Sequence, residues 1–234
     1  MSLIVENLNL TFRNKKILDD LSFVVADGAI TGLVGASNAG KSMLLKTLAG
    51  VIKPDGGVFR HDGRSFITTD VKHKSQVGLL PQGAPIYADV TAYEYLELVH
   101  QLRGFNFSEE CIDQALEIFS LNIDWHQPID YLSISYKKCL TILQAILHKP
   151  KWILLDEPFA GLDPGHRHQL RTYLKQLATT SSIIFTSHDL DEVSTVSNSL
   201  IVLKEGRINR HLKNVDKLAN QSATEKYETI GPML

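Results

Sequence analysis

The eight residues Gly35 to Ser42 read G-A-S-N-A-G-K-S, and what stands on either side makes them the tightest constraint in the chain. The apolar run Ile30-Thr31-Gly32-Leu33-Val34 leads in as a strand, and Ser42 to Ala49 leads out as a helix that Gly50 can end. Strand, glycine-bearing turn and helix in that order form the setting of a phosphate-binding loop. Backbone N–H groups turn inward around an anion, and the open amino end of the helix adds its unpaired N–H groups and positive dipole. In such a loop Gly35, Ala36, Ser37, Asn38, Ala39, Gly40, Lys41, Ser42 and Met43 form the cradle. Lys41 would reach the outer phosphates and the Ser42 hydroxyl would sit on Mg²⁺. Asn38 fits the same picture, since Asn is the non-glycine residue that best tolerates left-handed backbone.

With 234 residues the chain can bury a full core, and a single α/β domain with an inserted subdomain is the expected organisation. Its hydrophobic fraction of 44%, charged fraction of 21% and net charge of −2 are ordinary for a globular protein and give no footprint for a nucleic-acid partner. Cys111 and Cys139 lack metal-site spacing, so neither a disulfide framework nor a zinc site is expected and a reducing cytosol fits. Glu6 interrupts any secretory signal early, and the apolar runs at 152–155, 183–185 and 200–203 fall far short of the roughly 20 residues that cross a bilayer. Attachment to a membrane would therefore come through a partner, with the chain cytoplasmic and peripheral.

Turn signals at Asn14-Lys15-Lys16, Asp27-Gly28 and Pro54-Asp55-Gly56-Gly57 make the front of the chain, residues 3–63, mostly strand and turn. From Thr91 the pattern turns helical: Thr91-Ala92-Tyr93-Glu94 has the form of a capping box, and further helices are expected after Ser108 and Ser133. Beyond Pro150 strands return at Trp152 to Leu155 and Ser182 to Thr186, joined by a helix after Pro164. The helical block, about 83–149, thus reads as an insertion in an α/β domain spanning 1–213. Residues 214–234 form an extension without a legible role.

The second chemical signal is Trp152-Ile153-Leu154-Leu155-Asp156-Glu157-Pro158, an apolar strand that ends in adjacent carboxylates. Placed beside the phosphate-loop strand, Asp156 can hold Mg²⁺ and Glu157 can orient and deprotonate an attacking water. Together with Gln82 after Leu79-Leu80-Pro81, Leu132-Ser133, Ala160-Gly161-Leu162-Asp163 and Ser187-His188-Asp189, these segments resemble in order and spacing the motifs of ABC-type ATPases. The resemblance covers residues 1 to about 210. It implies a P-loop NTPase with a RecA-like core, an antiparallel β subdomain and an inserted α-helical subdomain, binding ATP with Mg²⁺. By position Gln82 resembles the glutamine that touches Mg²⁺ and the water and senses the transport partner. His188 resembles the switch histidine on the γ-phosphate, Phe12 the aromatic that stacks on adenine, and Asp163 the aspartate that links two nucleotide sites across a dimer. Asp163 is also placed to cap a helix opening at Pro164.

One segment departs from the family. Its signature L-S-G-G-Q stands here as Leu132-Ser133-Ile134-Ser135-Tyr136, with both glycines replaced. In the family this segment opens a helix whose N–H groups and serine hydroxyl reach the γ-phosphate held by the opposite subunit. Tyr136, Leu140, Leu143 and Leu147 give that helix one apolar face, and Ser133 can cap it. Ile134 resists positive φ and adds bulk where a phosphate approaches.

The resemblance implies an ATP-hydrolysing subunit that drives a separate transmembrane permease and pairs with a second ATPase subunit. Val90 to Gly104 is most similar to the small bacterial exporter ATPases that serve drug, peptide-immunity and haem export. Two other functions fit the same motifs: a soluble ABC ATPase in cofactor assembly, and a nucleotide-binding regulatory module with little turnover.

Overall fold

The computed structural model describes residues 2–61, 63–215, 225 and 230. β1 (Ser2–Phe12) and β2 (Lys15–Ala26) form a long antiparallel hairpin, extended by β4 (Gly56–His61) and β5 (Arg64–Phe66) into a four-stranded sheet of order β2-β1-β4-β5. The other strands are β3 (Ile30–Val34), β6 (Val77–Leu80), β7 (Trp152–Leu155), β8 (Ser182–Thr186), β9 (Ser199–Lys204) and β10 (Arg207–Leu212). They make a six-stranded sheet of order β10-β9-β3-β8-β7-β6, parallel throughout except for the β9/β10 pair.

Strands β3, β7 and β8 are buried at every position, as expected of parallel strands covered on both faces. Their residues alternate between two cores because strand side chains alternate in direction. Ile153, Leu155, Ile183, Phe185, Leu200 and Val202 join the larger core, which contains the helical block. Leu154, Ile184, Ile201 and Leu203 join a second core with the antiparallel sheet and helix α1 (Lys41–Leu48).

Helix α2 (Val71–Lys74) is a short turn with no buried residue, and no sequence signal announced it. The helical block holds α3 (Ala92–Leu102), α4 (Glu109–Phe119) and α5 (Ile134–Ile146). The capping box before α3 forms as expected: Glu94 N donates to Thr91 Oγ1 at 3.1 Å and Thr91 N donates to Glu94 Oε2 at 2.8 Å. α5 buries Leu140 and Leu143 completely and lies along β6, so this block shares its core with the main sheet. α6 (Pro164–Leu177) joins β7 to β8, and α7 (Leu190–Val196) joins β8 to β9.

One expectation needs revision. β7 does not lie beside the phosphate-loop strand: β8 pairs with both β3 and β7 and separates them, so the last residue of β8 stands between the loop and the carboxylates. Beyond residue 213, Val215 and Ile230 are buried in the larger core, and Val215 N donates to Asn198 O at 3.2 Å. The Gly231-Pro232 turn signal lies outside the described residues.

Candidate functional site

β3 delivers the chain into the loop, and the turn depends on two backbone features. Asn38 takes φ 69° and Gly40 takes φ 105°, the left-handed values that asparagine tolerates and glycine adopts freely. Gly35 meets a different demand, since a Cβ there would overlap the carbonyl oxygen of Leu203. Gly40 is the N-cap of α1 and has no side chain to close the helix end, and the first turn carries no acid. The leading N–H groups of α1 are thereby left to an anion. Lys41 is buried and donates from Nζ to the carbonyls of Gly35 at 2.7 Å and Ala36 at 3.1 Å. Burial lowers its pKa, against the pull of the Glu157 and Asp156 carboxylates.

Those carboxylates leave the end of β7 under the control of Thr186, the last residue of β8. The Thr186 hydroxyl donates to Asp156 Oδ1 at 2.7 Å and accepts from Glu157 N at 2.8 Å. The second oxygen of Asp156, Oδ2, is buried without a hydrogen-bond partner. That acceptor suits a hard cation or its bound water, with Ser42 on the facing first turn of α1. Among the described residues no group of three or more His, Cys, Asp or Glu gathers around a metal position. A Mg²⁺ site needs none, because that ion keeps several waters and is held by one or two carboxylates and substrate phosphates. Glu157 has φ 50°, an uncommon value for a residue with a side chain, and its carboxylate faces His188, whose Nε2 lies 3.3 Å from Oε1. Burial raises the Glu157 pKa above its usual value, with His188 and Lys41 opposing.

One cavity of about 450 Å³ brings together Ser37, Asn38, Gly40, Lys41, Ser42, Met43, Gln82, Asp156, Glu157 and His188. Ala36 and Ala39 border an adjoining recess with Lys204 and Glu205. Gln82 follows β6, and its loop is held to the helical block by Tyr95, which donates from its hydroxyl to Pro85 O at 3.3 Å. Glycine-rich loop, helix end, buried lysine and two unequal carboxylates make a centre suited to phosphoryl chemistry.

The comparisons agree with that chemistry. Residues 18–160 match the family model described as ABC transporter. The chain belongs to the ABC transporter family. A Bacillus subtilis (strain 168) relative, the ABC transporter ATP-binding protein YxlF, is 30% identical over 87% of this chain and 68% of its own length. The bacitracin transport ATP-binding protein BcrA of Enterococcus faecalis is 29% identical over 89% of this chain and 68% of its own. A solved ATP-binding subunit of an ABC transporter superposes with a TM-score of 0.83 at 25% identity, covering 99% of this chain and 100% of that one. The cassette described here is thus an ABC ATPase with the family's α/β fold. No helix among its described residues is long and apolar enough to cross a membrane.

The remaining expected ABC residues lie outside the cavity. Phe12 is 46% exposed beneath the Arg13 guanidinium, and Lys15 and Ile17 of β2 take the place on the cavity wall nearest to it in sequence. Ser133 caps α5, accepting from Tyr136 N at 3.3 Å, and Tyr136 is half-buried behind it. Ile134 is the first residue of α5, 77% exposed, and is absent from the positive-φ residues. Its backbone is helical and unstrained, so the expected conflict with positive φ does not arise. Only its bulk remains. Ser135 is turned inward and buried, and Asp163 caps α6 by accepting from His166 N at 3.0 Å.

Sequence reasoning missed Thr186, because a threonine ending a hydrophobic strand carries no signal until β8 is known to sit beside Asp156. It also missed Lys138 on α5, a half-buried cation whose pKa burial lowers while Glu157 and Asp156 draw it back up.

Proposed function

We propose that this chain binds Mg²⁺ and ATP and hydrolyses the γ-phosphate as one of two ATPase subunits coupled to a separate transmembrane permease, in an exporter. The observation that carries the reading is Glu157: a carboxylate with a raised pKa beside His188, in the same cavity as Lys41, Gln82 and the phosphate loop. Lys41 and the α1 amino end bind the phosphates, and Asp156 and Ser42 would hold Mg²⁺, which when bound neutralises charge developing on the phosphate oxygens. Glu157 takes a proton from the water that attacks the γ-phosphorus, Gln82 orients that water, and His188 donates to the γ-phosphate. ATP and water give ADP and phosphate, with the P–O bond to the leaving ADP broken.

The exporter direction rests on the Val90 to Gly104 similarity and on relatives such as BcrA and the linearmycin resistance ATP-binding protein LnrL of Bacillus subtilis (strain 168), 29% identical over 87% of this chain. The sulfate/thiosulfate import ATP-binding protein CysA of Mesostigma viride is equally similar at 29% over 96% of this chain. Direction is therefore tested by flux. Copurifying the permease, reconstituting both in vesicles and supplying ATP on the ATPase face should move cargo away from that face; uptake towards it would overturn the assignment.

Pairing with a different ATPase subunit is favoured by one observation. This chain's own cavity gathers Lys41, Gln82, Asp156, Glu157 and His188, whereas its signature presents the exposed Ile134 side chain beside Ser133, where the family has a bare glycine. Steady-state ATPase activity of the purified chain should be slow alone and rise when a partner with an unaltered signature is added. Fast turnover without a partner would sink this assignment.

A further inference from the structure

Where the family carries its second signature glycine, Ser135 makes contacts that no glycine can make. Its Oγ accepts from Asp163 N at 3.1 Å and lies 2.8 Å from His166 Nδ1. The same Nδ1 lies 2.7 Å from Asp163 Oδ2, while Asp163 Oδ1 accepts from His166 N at 3.0 Å. Three residues on two elements, the first turn of α5 and the α6 cap, are thereby closed into one ring. The Asp163 carboxyl is held below the usual carboxylate range by the backbone N–H of His166, then by the Ser135 hydroxyl.

An Asp, a His and a Ser in contact suggest a nucleophile, but the geometry excludes it. A relay needs the carboxylate and the hydroxyl on opposite ring nitrogens, and here both meet Nδ1. Ser135 is also only 9% exposed, with its oxygen already accepting from Asp163 N. The ring holds position and carries no chemistry.

We infer that Ser135 and His166 are positioning residues that lock the Asp163 loop to the signature turn, so that the two elements this chain offers to a facing subunit's nucleotide move as one body. The inference deepens the subunit reading above and rests on it. Ile134, on the turn, points towards the loop: only a side chain on Gly161, which has none, would reach it, an ideal Cβ there lying 3.7 Å from Ile134 Cγ2. A signature with two glycines is free to flex; this one exchanges that freedom for the two contacts of Ser135 Oγ, to Asp163 N and His166 Nδ1.

Two measurements test it. Hydrogen exchange of the free chain should be about tenfold faster at the Asp163 and His166 amides in Ser135→Ala and His166→Ala, the loss of one net hydrogen bond. His166→Asn, whose amide can reach the Nδ1 position, should keep exchange slow. Unchanged exchange in Ser135→Ala would overturn the lock. The second measurement uses mixed dimers of two tagged copies, one inactivated by Glu157→Gln. With Ser135→Ala on the inactivated copy, the working site faces the broken lock. With Ser135→Ala on the working copy, it faces an intact one. The first pairing should turn over about five- to tenfold more slowly than the second, at equal KM for ATP. Equal rates would show that the ring only stabilises the fold and would refute its positioning role. No hydrolysis by the wild-type chain, alone or with its permease, would instead refute the subunit reading, and the exchange data would still decide whether the lock exists.

Discussion

The two halves that this chain brings to nucleotide chemistry are built differently. The phosphate loop and the carboxylates lie at the ends of fully buried parallel strands, where β3, β7 and β8 are tied by backbone ladders and Thr186 bonds both Asp156 and Glu157. The signature lies on the first turn of a helix, where Ile134 is 77% exposed and position is set by side chains reaching across to α6. A strand end fixes its residues through many neighbours at once, so few residue types are tolerated there. A helix start fixes them through a cap and one or two contacts, and those contacts can be remade with other residues. Departure from the family pattern at 134 and 135, and none at 156 and 157, follows from that difference.

The strand-end half should fail most steeply when its chemistry is removed. Glu157→Gln keeps the shape and loses the proposed base, so phosphate release should fall by about 10²- to 10⁴-fold while ATP binding persists. Turnover near the wild-type rate would place the base elsewhere. Because burial raises the pKa of Glu157, its ionised form is favoured less in the folded chain than in the unfolded one. Its contribution to stability is present below the usual 4.5 and is lost as pH rises through the raised value. Glu157→Gln should therefore melt no lower than the wild type at pH 8, which calorimetry can read.

Thr186→Val comes next and probes whether the half is held as one piece. The substitution is nearly isosteric, and it leaves Asp156 Oδ1 and Glu157 N without their partner in a fully buried position. An orphaned buried polar group costs about 1–3 kcal/mol. At about 2–4 °C per kcal/mol for a chain of this size, the melting temperature should drop by several degrees. Turnover should fall about tenfold or more as Glu157 loses its set direction. Unchanged stability and rate would mean that the strand ends hold the carboxylates without the threonine.

Acidification gives a smaller and graded effect. The proposed general base, Glu157, must be ionised to act, so the acid limb of kcat/KM should lie above 4.5 and fall about tenfold per pH unit below its midpoint. Glu157→Asp should move that limb, and a limb at an ordinary carboxylate value would mean that water reaches Glu157 freely.

How much of this was legible beforehand divides along the same line. The strands Ile30–Val34, Trp152–Leu155 and Ser182–Thr186, the capping box at Thr91 and the Asp163 cap before Pro164 are local patterns, written in consecutive residues, and the structure has them where they were expected. The position of β8 between β3 and β7 is long-range, and no run of residues states it. Thr186, Lys138 and the Ser135–His166 contact became visible only once elements distant in sequence were adjacent. Phe12, which resembles the aromatic that stacks on adenine, stands exposed at the end of the hairpin under the Arg13 guanidinium, and which face of the strand it takes there is set by the hairpin's pairing rather than by its own neighbours in sequence.

The smallest effect is the sharpest test of the contrast. Restoring family residues at the signature should not act as a unit, because Ile134 and Ser135 do different things here. Ile134→Gly removes bulk from a helical, unstrained backbone and should raise turnover only a few-fold, below the roughly hundredfold that a well-placed transition-state donor is worth. Ser135→Gly removes the oxygen that Asp163 N and His166 share and should lower turnover about as much as Ser135→Ala. The double variant should then lie near wild type, a cancellation measurable by comparing all four proteins in one steady-state assay. If both single variants raise turnover and their effects add, the signature is an ordinary one damaged twice. If they oppose, this helix start has been rebuilt around a different set of contacts.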